Sequence, residues 1–362
     1  MSTSSLDSHQ NQPLQPAFGL WKQYQPEKAR YAFDAKTLLE AQKWQVETRQ
    51  ALAQTIGLPA PDNSSLNPQL IESVDKGDYT REKVLIQTGA HTLMPVYLLL
   101  PKQGNRPLPV VLAFHGHGYG VKDIVGLWED GEERDTPDGY HKDFGVELCR
   151  AGFAVAAPEI AGFGERQTDF SYLNAAIGQP VPTTCTHTAM LAFHLGSSVV
   201  GMRVHDGLRL VDYLETCPEL DIKRLGAMGI SGGGMHTFFS TCLDERIRAC
   251  VVSGYYSTFR DSILTMSHCA CNFVPGLAQF GEMYDLVGLI APRPMLVEAG
   301  NYDNIFPQKA VKSSVSRANA VYAVFGDRLE VETDYFEGRH QISGRKAYPF
   351  LKAALSKSAA AP

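Results

Sequence analysis

The spacing of apolar residues along the chain changes from a helical pattern to a strand pattern near residue 58. Residues 19–57 carry apolar side chains at helical spacing, and the residues that predict a long amphipathic helix there are Leu38, Leu39, Ala41, Trp44, Ala51, Leu52 and Ile56. Residues 58–68 are rich in Pro, Asn and Ser, which is typical of a linker. Residues 81–88 and 93–102 are rich in strand-forming residues and predict a hairpin around Gly89.

After the hairpin, predicted strands and helices alternate. The run LPVVLAFHGHG, residues 108–118, is apolar up to a glycine-rich loop, as in a central parallel strand that is buried on both faces. The later predicted strands are FAVAAPEI, RLGAMGI, RACVVSGYY, RPMLVEAG and LEVETDYF, and the predicted helices are GVELCRAG, VVGMRVHDGLRLVDYLET, GGMHTFFSTCL, residues 308–325 and RKAYPFLKAAL. This alternation predicts an α/β fold, a doubly wound, mostly parallel sheet with flanking helices and a helical N-terminal extension.

Composition is that of a globular protein with material for a large core. Of the 362 residues, 44% are hydrophobic and 20% are charged. The 33 Lys and Arg against 39 Asp and Glu leave a net charge of −6, which argues against a nucleic-acid partner or a membrane surface. We expect a disordered tail over residues 1–16, a helical extension and linker over 17–65, and a catalytic domain over 66–356.

The cellular compartment is inferred from the N-terminus and the cysteines. Residues 1–16 are polar and lack the basic and apolar regions of a secretory signal. The seven cysteines are scattered, and an odd number in a long chain is best interpreted as reduced thiols. We therefore expect a cytoplasmic protein.

The segment Gly229-Ile230-Ser231-Gly232-Gly233 is the one G-x-S-x-G match in the sequence. A predicted strand leads into it and a predicted helix leads out. A nucleophilic serine needs this sharp, strained turn, where side chains at positions 229 and 233 would clash. The pattern predicts Ser231 as the nucleophile. The alternative is a plain glycine-rich turn or a phosphate loop, but the Gly-Lys-Ser/Thr of a Walker loop is absent.

The loop His115-Gly116-His117-Gly118 follows the central predicted strand. Attack on an ester creates an oxyanion that requires two N–H donors fixed in advance. We expect one from the backbone of Gly232 and the other from Gly116 or His117, between which the sequence does not decide. The histidine side chains of the loop are interpreted as structural.

Candidates for the acid and the base follow later strands. Asp303 comes after RPMLVEAG and His340 after the last strand, in the Ser…Asp…His order that this elbow uses. A buried carboxylate would hold the imidazole in the correct tautomer. The second choice for the acid is Glu298, inside the strand, with Asp327 and Asp334 behind it. The alternative for Asp303 is a simple Asx turn.

Three further residues, Trp128, Glu159 and His268, are expected to border the substrate pocket. Trp128 lies in residues 121–143, which are interpreted either as a lid or pocket wall or as a solvated acidic face.

Several other polar residues are interpreted as structural or without a role. Arg166 is expected to pair with Glu159 or Glu165. The segment His268-Cys269-Ala270-Cys271 is predicted to hold no metal, because no second ligand cluster follows at zinc-site spacing. The remaining members of this group are Cys185 and His187, in a predicted loop, and Arg203, His205 and Asp206, on a predicted helix.

Taken together, these motifs resemble the α/β-hydrolase superfamily over about residues 66–356, and most of all its dienelactone-hydrolase-like and acetyl-xylan-esterase-like branch. The segments that carry the resemblance are FHGHGYG, APEIAGFGER, GMRVHDGLRLVDYL, GISGGGMHT, LIAPRPMLVEAGNYDNIFP and EGRHQISG. The resemblance implies ester or lactone hydrolysis through an acyl-enzyme, without a metal or an organic cofactor. It assigns the nucleophile to Ser231, where dienelactone hydrolases carry Cys, the acid to Asp303 and the base to His340. Gly232 stands where the hexameric deacetylases carry Gln.

The expected function is therefore that of a serine carboxylic-ester hydrolase acting on a small-molecule, short-acyl ester, with no cofactor and no metal. An acyltransferase or thioesterase, a peptidase, and a non-catalytic protein on the same fold remain alternatives. The oligomeric state stays open, a homo-oligomer included.

Overall fold

The computed structural model describes residues 14–60, 64–170 and 184–356. The part of the predicted tail from residue 1 to residue 13 lies outside the described residues, and a helix already begins at Pro16. In the described part of the chain, one sheet is built from the strands β1 Gln69–Asp75, β2 Tyr79–Gly89, β3 Thr92–Pro101, β4 Leu108–Phe114, β5 Ala154–Pro158, β6 Leu220–Ile230, β7 Ala249–Ser253, β8 Met295–Gly300 and β9 Glu332–Phe336.

The sheet is parallel over most of its width. Its strand order is β1-β2-β3-β5-β4-β6-β7-β8-β9. The pairs β1/β2, β2/β3 and β3/β5 are antiparallel, and every pair from β5/β4 to β8/β9 is parallel. The predicted hairpin is β2 and β3, and the predicted doubly wound sheet with flanking helices is confirmed. Because the parallel strands share a direction, β4, β6, β8 and β9 end at the same edge, where their loops meet.

Helices cover both faces of this sheet. Those of the described chain are α1 Pro16–Gln23, α2 Leu38–Thr55, α3 Phe144–Arg150, α4 Cys185–His194, α5 Val199–Leu214, α6 Gly232–Leu243, α7 Met283–Leu286, α8 Gln308–Phe325 and α9 Ala347–Ser356. None of these helices has the length and apolar character needed to cross a membrane. One prediction is wrong here, because Cys185 and His187 lie in α4 rather than in a loop, and the strand β1 was not predicted.

The N-terminal extension is helical, but its predicted long helix is divided. Thr37 and Glu40 form a capping box at the start of α2, with the Thr37 Oγ1 accepting from the Glu40 N–H and the Glu40 carboxylate accepting from the Thr37 N–H. This reciprocal cap fixes the N-terminal end of α2 and separates it from α1. The face of α2 that meets the domain is also narrower than predicted. Leu52 is fully buried, whereas Leu39 is 77% exposed.

Residues 121–143 consist of a buried part that packs in the core and a solvated loop. The Arg134 guanidinium, itself buried, pairs with Asp143 at the base of this segment. Residues 128–133 and 135–139 are exposed, so the acidic part is a solvated face. The segment is held against the sheet by the buried side chains of Val121, Ile124, Val125 and Leu127.

Replacement of Leu52 by Ala should lower the free energy of unfolding by about 2–5 kcal/mol, because a large buried side chain leaves a cavity. Urea unfolding followed by circular dichroism measures this change. Leu39→Ala, on the same helix but mostly exposed, is the matched control and should change the value by no more than about 0.5 kcal/mol. Equal effects of the two substitutions would contradict the docking of α2 described above.

Candidate active site

Ser231 occupies a strained turn between β6 and α6. Its backbone angles are φ 57° and ψ −121°, in a region that residues with a side chain rarely adopt. The Ser231 N–H donates to the Ser253 carbonyl, 3.1 Å away, and the Met235 N–H donates to the Ser231 carbonyl at 2.9 Å. These two bonds hold the turn so that the side chain faces a cavity at the strand-end edge of the sheet.

The glycines around Ser231 are required by close backbone approaches. A Cβ at Gly229 would lie 2.4 Å from the Gly233 carbonyl oxygen, and a Cβ at Gly233 would lie 1.9 Å from the Phe114 carbonyl oxygen. Both distances are shorter than any contact a real Cβ makes. The turn therefore packs directly on the end of β4, as a nucleophile elbow does.

Asp303 and His340 form a hydrogen-bonded pair. The His340 Nδ1 lies 2.7 Å from the Asp303 Oδ2. The Asp303 Oδ1 accepts from the N–H groups of Ile305 and Phe306, at 2.8 and 3.1 Å. The His340 ring also packs so closely on Gly254 that a Cβ there would lie 3.0 Å from its Cε1. The other ring nitrogen, Nε2, is buried and has no hydrogen-bond partner among the described residues.

Glu298, the second choice for the acid, organises the loop that carries His340. Its carboxylate accepts from the Ser253 hydroxyl at 2.9 Å and from the N–H groups of Ser343 and Gly344, both at 2.8 Å. Burial raises the pKa of Glu298 to about 7, against the lowering effect of these hydrogen bonds. The Glu298 carboxyl thus holds the loop just after His340 and makes no hydrogen bond with the imidazole itself.

The amide of Gly116 is already engaged. Its N–H donates to the His141 Nε2 at 2.8 Å, and the His141 Nδ1 lies 2.9 Å from the Asp123 carboxylate. Burial lowers the pKa of His141, which favours the neutral ring that an acceptor Nε2 requires. The expectation that Gly116 could supply an oxyanion donor is therefore not met in this arrangement, and His117 is left as the candidate from this loop.

Tyr140 is a site residue that the sequence reasoning missed. Its hydroxyl donates to the His117 carbonyl at 2.6 Å, and the side chain lines the same cavity as Ser231. Burial raises the pKa of Tyr140, so this hydroxyl stays protonated. No local sequence pattern marks Tyr140, because it reaches the site from the end of an otherwise solvated loop.

The cavity beside Ser231 has a volume of about 360 Å³. It is lined by His117, Tyr140, Ser231, Gly232, Tyr255, Met266, Ser267, His268, Cys269, Asn272, Ile305, Phe306 and His340. Of the three residues expected to border the pocket, His268 lines this cavity.

Trp128 and Glu159 do not line this cavity, so the expectation that they border the substrate pocket is wrong. Trp128 is 42% exposed and stacks over the Arg134 guanidinium, with 5.1 Å between ring centre and Cζ. Glu159 is buried behind the loop that follows β4, where it lies 3.2 Å from the His115 Nε2 and accepts from the Val121 N–H at 3.0 Å.

Arg166 pairs with neither of the expected glutamates. Its guanidinium lies 2.7 Å from the Asp206 carboxylate on α5, and both side chains are largely buried. Glu165 instead pairs with Lys83 at 2.8 Å. Sequence proximity favoured the neighbouring glutamates, whereas the fold brings α5 against this loop.

Four potential metal ligands meet at one wall of the cavity. The ligand atoms of His117, Cys185, Cys269 and Cys271 all lie within 4.8 Å of one another. The prediction that the segment 268–271 holds no metal depended on the lack of a second ligand cluster in the sequence. The fold supplies further ligands, because the loop after β4 and the start of α4 bring His117 and Cys185 to the two cysteines.

The sheet order, the strained serine turn and the Asp-His pair define an α/β-hydrolase. The chain belongs to the Abhydrolase family, whose model matches residues 17–325. The resemblance to the α/β-hydrolase superfamily is thereby confirmed.

The chain is also similar to individual proteins. YtaP of Bacillus subtilis (strain 168), which carries a provisional hydrolase name, is 27% identical over 284 residues, which are 76% of this chain and 87% of YtaP. The crystal structure of a protein from Bacteroides fragilis NCTC 9343, provisionally named an acetyl xylan esterase, matches with a TM-score of 0.73 and 17% identity, over 93% of this chain and 89% of the other. A glucuronoyl esterase from Solibacter usitatus matches with a TM-score of 0.63 and 17% identity, over 91% and 100% of the two chains. Because these two structures are only 17% identical to this chain, the matches show a shared fold and nothing about activity.

The buried Glu298 carboxyl should make stability depend on pH. Its pKa is raised from 4.5 to about 7 on folding, so between these values the folded protein binds a proton that the unfolded chain has released. The free energy of unfolding should therefore fall as pH rises through this window, by about 3 kcal/mol from this group. Glu298→Gln should remove that component, as measured by urea unfolding at several pH values.

The control is Glu72→Gln, which removes a carboxyl from an exposed position of β1. It should keep the wild-type decrease in stability across the same pH window. If Glu298→Gln shows a decrease as large as that of the wild type, other groups cause it and the raised pKa of Glu298 is contradicted.

Proposed function

We propose that this protein is a serine carboxylic-ester hydrolase in which Ser231 is the nucleophile, His340 the base and Asp303 the acid. The observation that carries the proposal is the His340 ring. One nitrogen is held 2.7 Å from Asp303, and the other is unpartnered in the cavity that Ser231 also lines. A general base needs this combination of a fixed tautomer and a free nitrogen.

The reaction begins when His340 Nε2 accepts the proton of the Ser231 hydroxyl and Oγ attacks the ester carbonyl carbon. The tetrahedral intermediate collapses, its C–O bond to the alcohol breaks, and His340 returns the proton to the leaving oxygen. Water then repeats the sequence on the acyl-enzyme, which releases the carboxylic acid and regenerates Ser231. Asp303 stabilises the imidazolium in each half-reaction.

The oxyanion is assigned to the backbone N–H groups of Gly232 and His117. Gly232 is the first residue of α6, where N–H groups lack partners within the helix and the helix dipole favours negative charge. His117 is preferred to Gly116 because the Gly116 N–H is bonded to His141. The Tyr140 hydroxyl holds the His117 carbonyl at 2.6 Å and so orients the peptide unit that follows.

The cavity favours a small, uncharged ester. At about 360 Å³ it is at the lower end of ligand-pocket sizes, and its lining contains neither a carboxylate nor an Arg or Lys side chain among the described residues. The two structurally similar proteins that are named as acetyl xylan and glucuronoyl esterases support an ester of a carbohydrate as the substrate class. A cytoplasmic location belongs to the same proposal and is supported by seven cysteines that form no disulfide.

Hydrolysis of p-nitrophenyl esters from acetate to decanoate tests the proposal. Activity should be highest on the shortest acyl groups, because the cavity is small. Ser231→Ala should lower kcat by about 10³-fold or more, and Asp303→Asn should lower it by a smaller factor. The measurement is the initial rate of p-nitrophenol release by the purified variants.

The matched control is Ser267→Ala, since Ser267 lines the same cavity and lies outside the proposed triad. It should keep wild-type kcat within a small factor. An inactive wild type, or equal rates for wild type and Ser231→Ala on every ester, would refute the esterase assignment.

A further inference from the structure

We propose that His117, Cys185, Cys269 and Cys271 bind one Zn²⁺ ion at the wall of the active-site cavity. The four residues come from three separate segments. His117 lies in the loop after β4, Cys185 is the first residue of α4, and the two cysteines flank Ala270 in a short 3₁₀ turn. Three thiolates and one imidazole form a known set of structural zinc ligands.

The distances between the ligand atoms fit a tetrahedral site. With Zn–S of about 2.3 Å and Zn–N of about 2.0 Å, neighbouring ligand atoms should lie about 3.5–3.8 Å apart. The Cys271 Sγ lies 3.6 Å from the His117 Nε2, and no pair of ligand atoms in the cluster is more than 4.8 Å apart. Small rotations of the side chains would bring all four atoms to a common centre.

The charge next to the cluster gives an independent argument. Arg203 is fully buried, and its Nη2 donates to the Ala161 carbonyl at 3.1 Å and to the Cys185 Sγ at 3.7 Å. Its Nε and Nη1 have no hydrogen-bond partner, although the guanidinium lies over the Phe163 ring, with 5.3 Å between Cζ and the ring centre. Among the described residues, no carboxylate forms an ion pair with Arg203. A buried cation without a counter-charge is strongly destabilising. A Zn²⁺ with three thiolates and a neutral imidazole carries a net charge of −1, which compensates Arg203.

Formation of the site is balanced by proton release. Three thiols lose their protons to solvent as three Zn–S bonds form, and the neutral imidazole donates the lone pair of Nε2. Soft thiolates with imidazole select Zn²⁺ over Mg²⁺ or Ca²⁺, which prefer oxygen. With all four positions filled by side chains, the site has no open position for water, so its role is structural.

The metal would tie together three segments, two of which, the loop with His117 and the turn with Cys269, line the cavity beside Ser231. It would hold the His117 side chain while the His117 backbone borders Ser231, and the His117 ring already packs on Gly232, where a Cβ would lie 3.2 Å from its Nδ1. The zinc site does not depend on the esterase proposal, because the experiment reads metal content rather than turnover.

The test is the zinc content of the full-length protein, produced without a histidine tag in zinc-supplemented medium and dialysed against metal-free buffer. Inductively coupled plasma mass spectrometry should find about one zinc per chain. The Cys271→Ser substitution should reduce the zinc content at least about tenfold. The matched control is Cys149→Ser, which removes a buried cysteine from α3, outside the cluster. It should keep wild-type zinc.

A second measurement guards against variants that fail to fold. Wild-type protein stripped with a chelator and loaded with Co²⁺ should show the visible d–d bands and the sulfur-to-cobalt charge-transfer band of a tetrahedral thiolate site. Adding Zn²⁺ should abolish these bands. The melting temperature of the zinc-loaded protein should lie above that of the stripped protein, because a ligand bound only by the folded state stabilises it.

Two results would overturn the proposal. One is wild-type protein that contains no zinc as isolated and shows neither cobalt bands nor a change in melting temperature with added Zn²⁺. The other is a disulfide between two of the three cysteines in protein kept under reducing conditions, detected as a mass lower by two hydrogens.

Discussion

The close contact between the Ser231 turn and the end of β4 is the constraint on which the site depends. Because Gly233 has no Cβ, the first turn of α6 can lie against the carbonyl of Phe114. That contact places the loop after β4 directly beside Ser231, so the proposed nucleophile and the proposed oxyanion donor of that loop are positioned by one packing arrangement. The backbone strain at Ser231 is sustained by its hydrogen bond to Ser253 and by the sheet on which the turn sits.

The sheet, the strained turn at Ser231 and the Asp303–His340 pair could be predicted because each follows from a local pattern. Parallel strands bring their carboxyl ends to one edge, so residues that follow different strands meet there. Tyr140 and the Gly116–His141 bond could not be predicted, since both depend on how a loop packs. β1 was missed because it lies at the edge of the sheet, where Leu70 and Ile71 are both exposed and no alternation marks the strand.

The two carboxyl groups near the end of β8 have different tasks because of where the chain places them. Glu298 lies within the strand, so its side chain is buried beneath the loop that carries His340 and accepts hydrogen bonds from that loop. Asp303 lies beyond the strand, where the chain has turned toward the cavity and the carboxylate can reach the imidazole. Sequence position relative to the strand end therefore separates Asp303, the proposed acid, from Glu298, which supports the loop that carries His340.

The cysteine cluster shows why spacing rules miss some sites. Cys269 and Cys271 alone are a short C-x-C pair, and their partners lie far away in sequence, on the loop after β4 and at the start of α4. The fully buried Arg203 beside them requires a negative charge that the described carboxylates do not supply. Thiolates bound to a metal meet that requirement, whereas three neutral thiols do not. Since His117 would contribute its ring to the metal and its backbone to the oxyanion site, the charge balance of this wall and the geometry of the reaction would rest on the same residue.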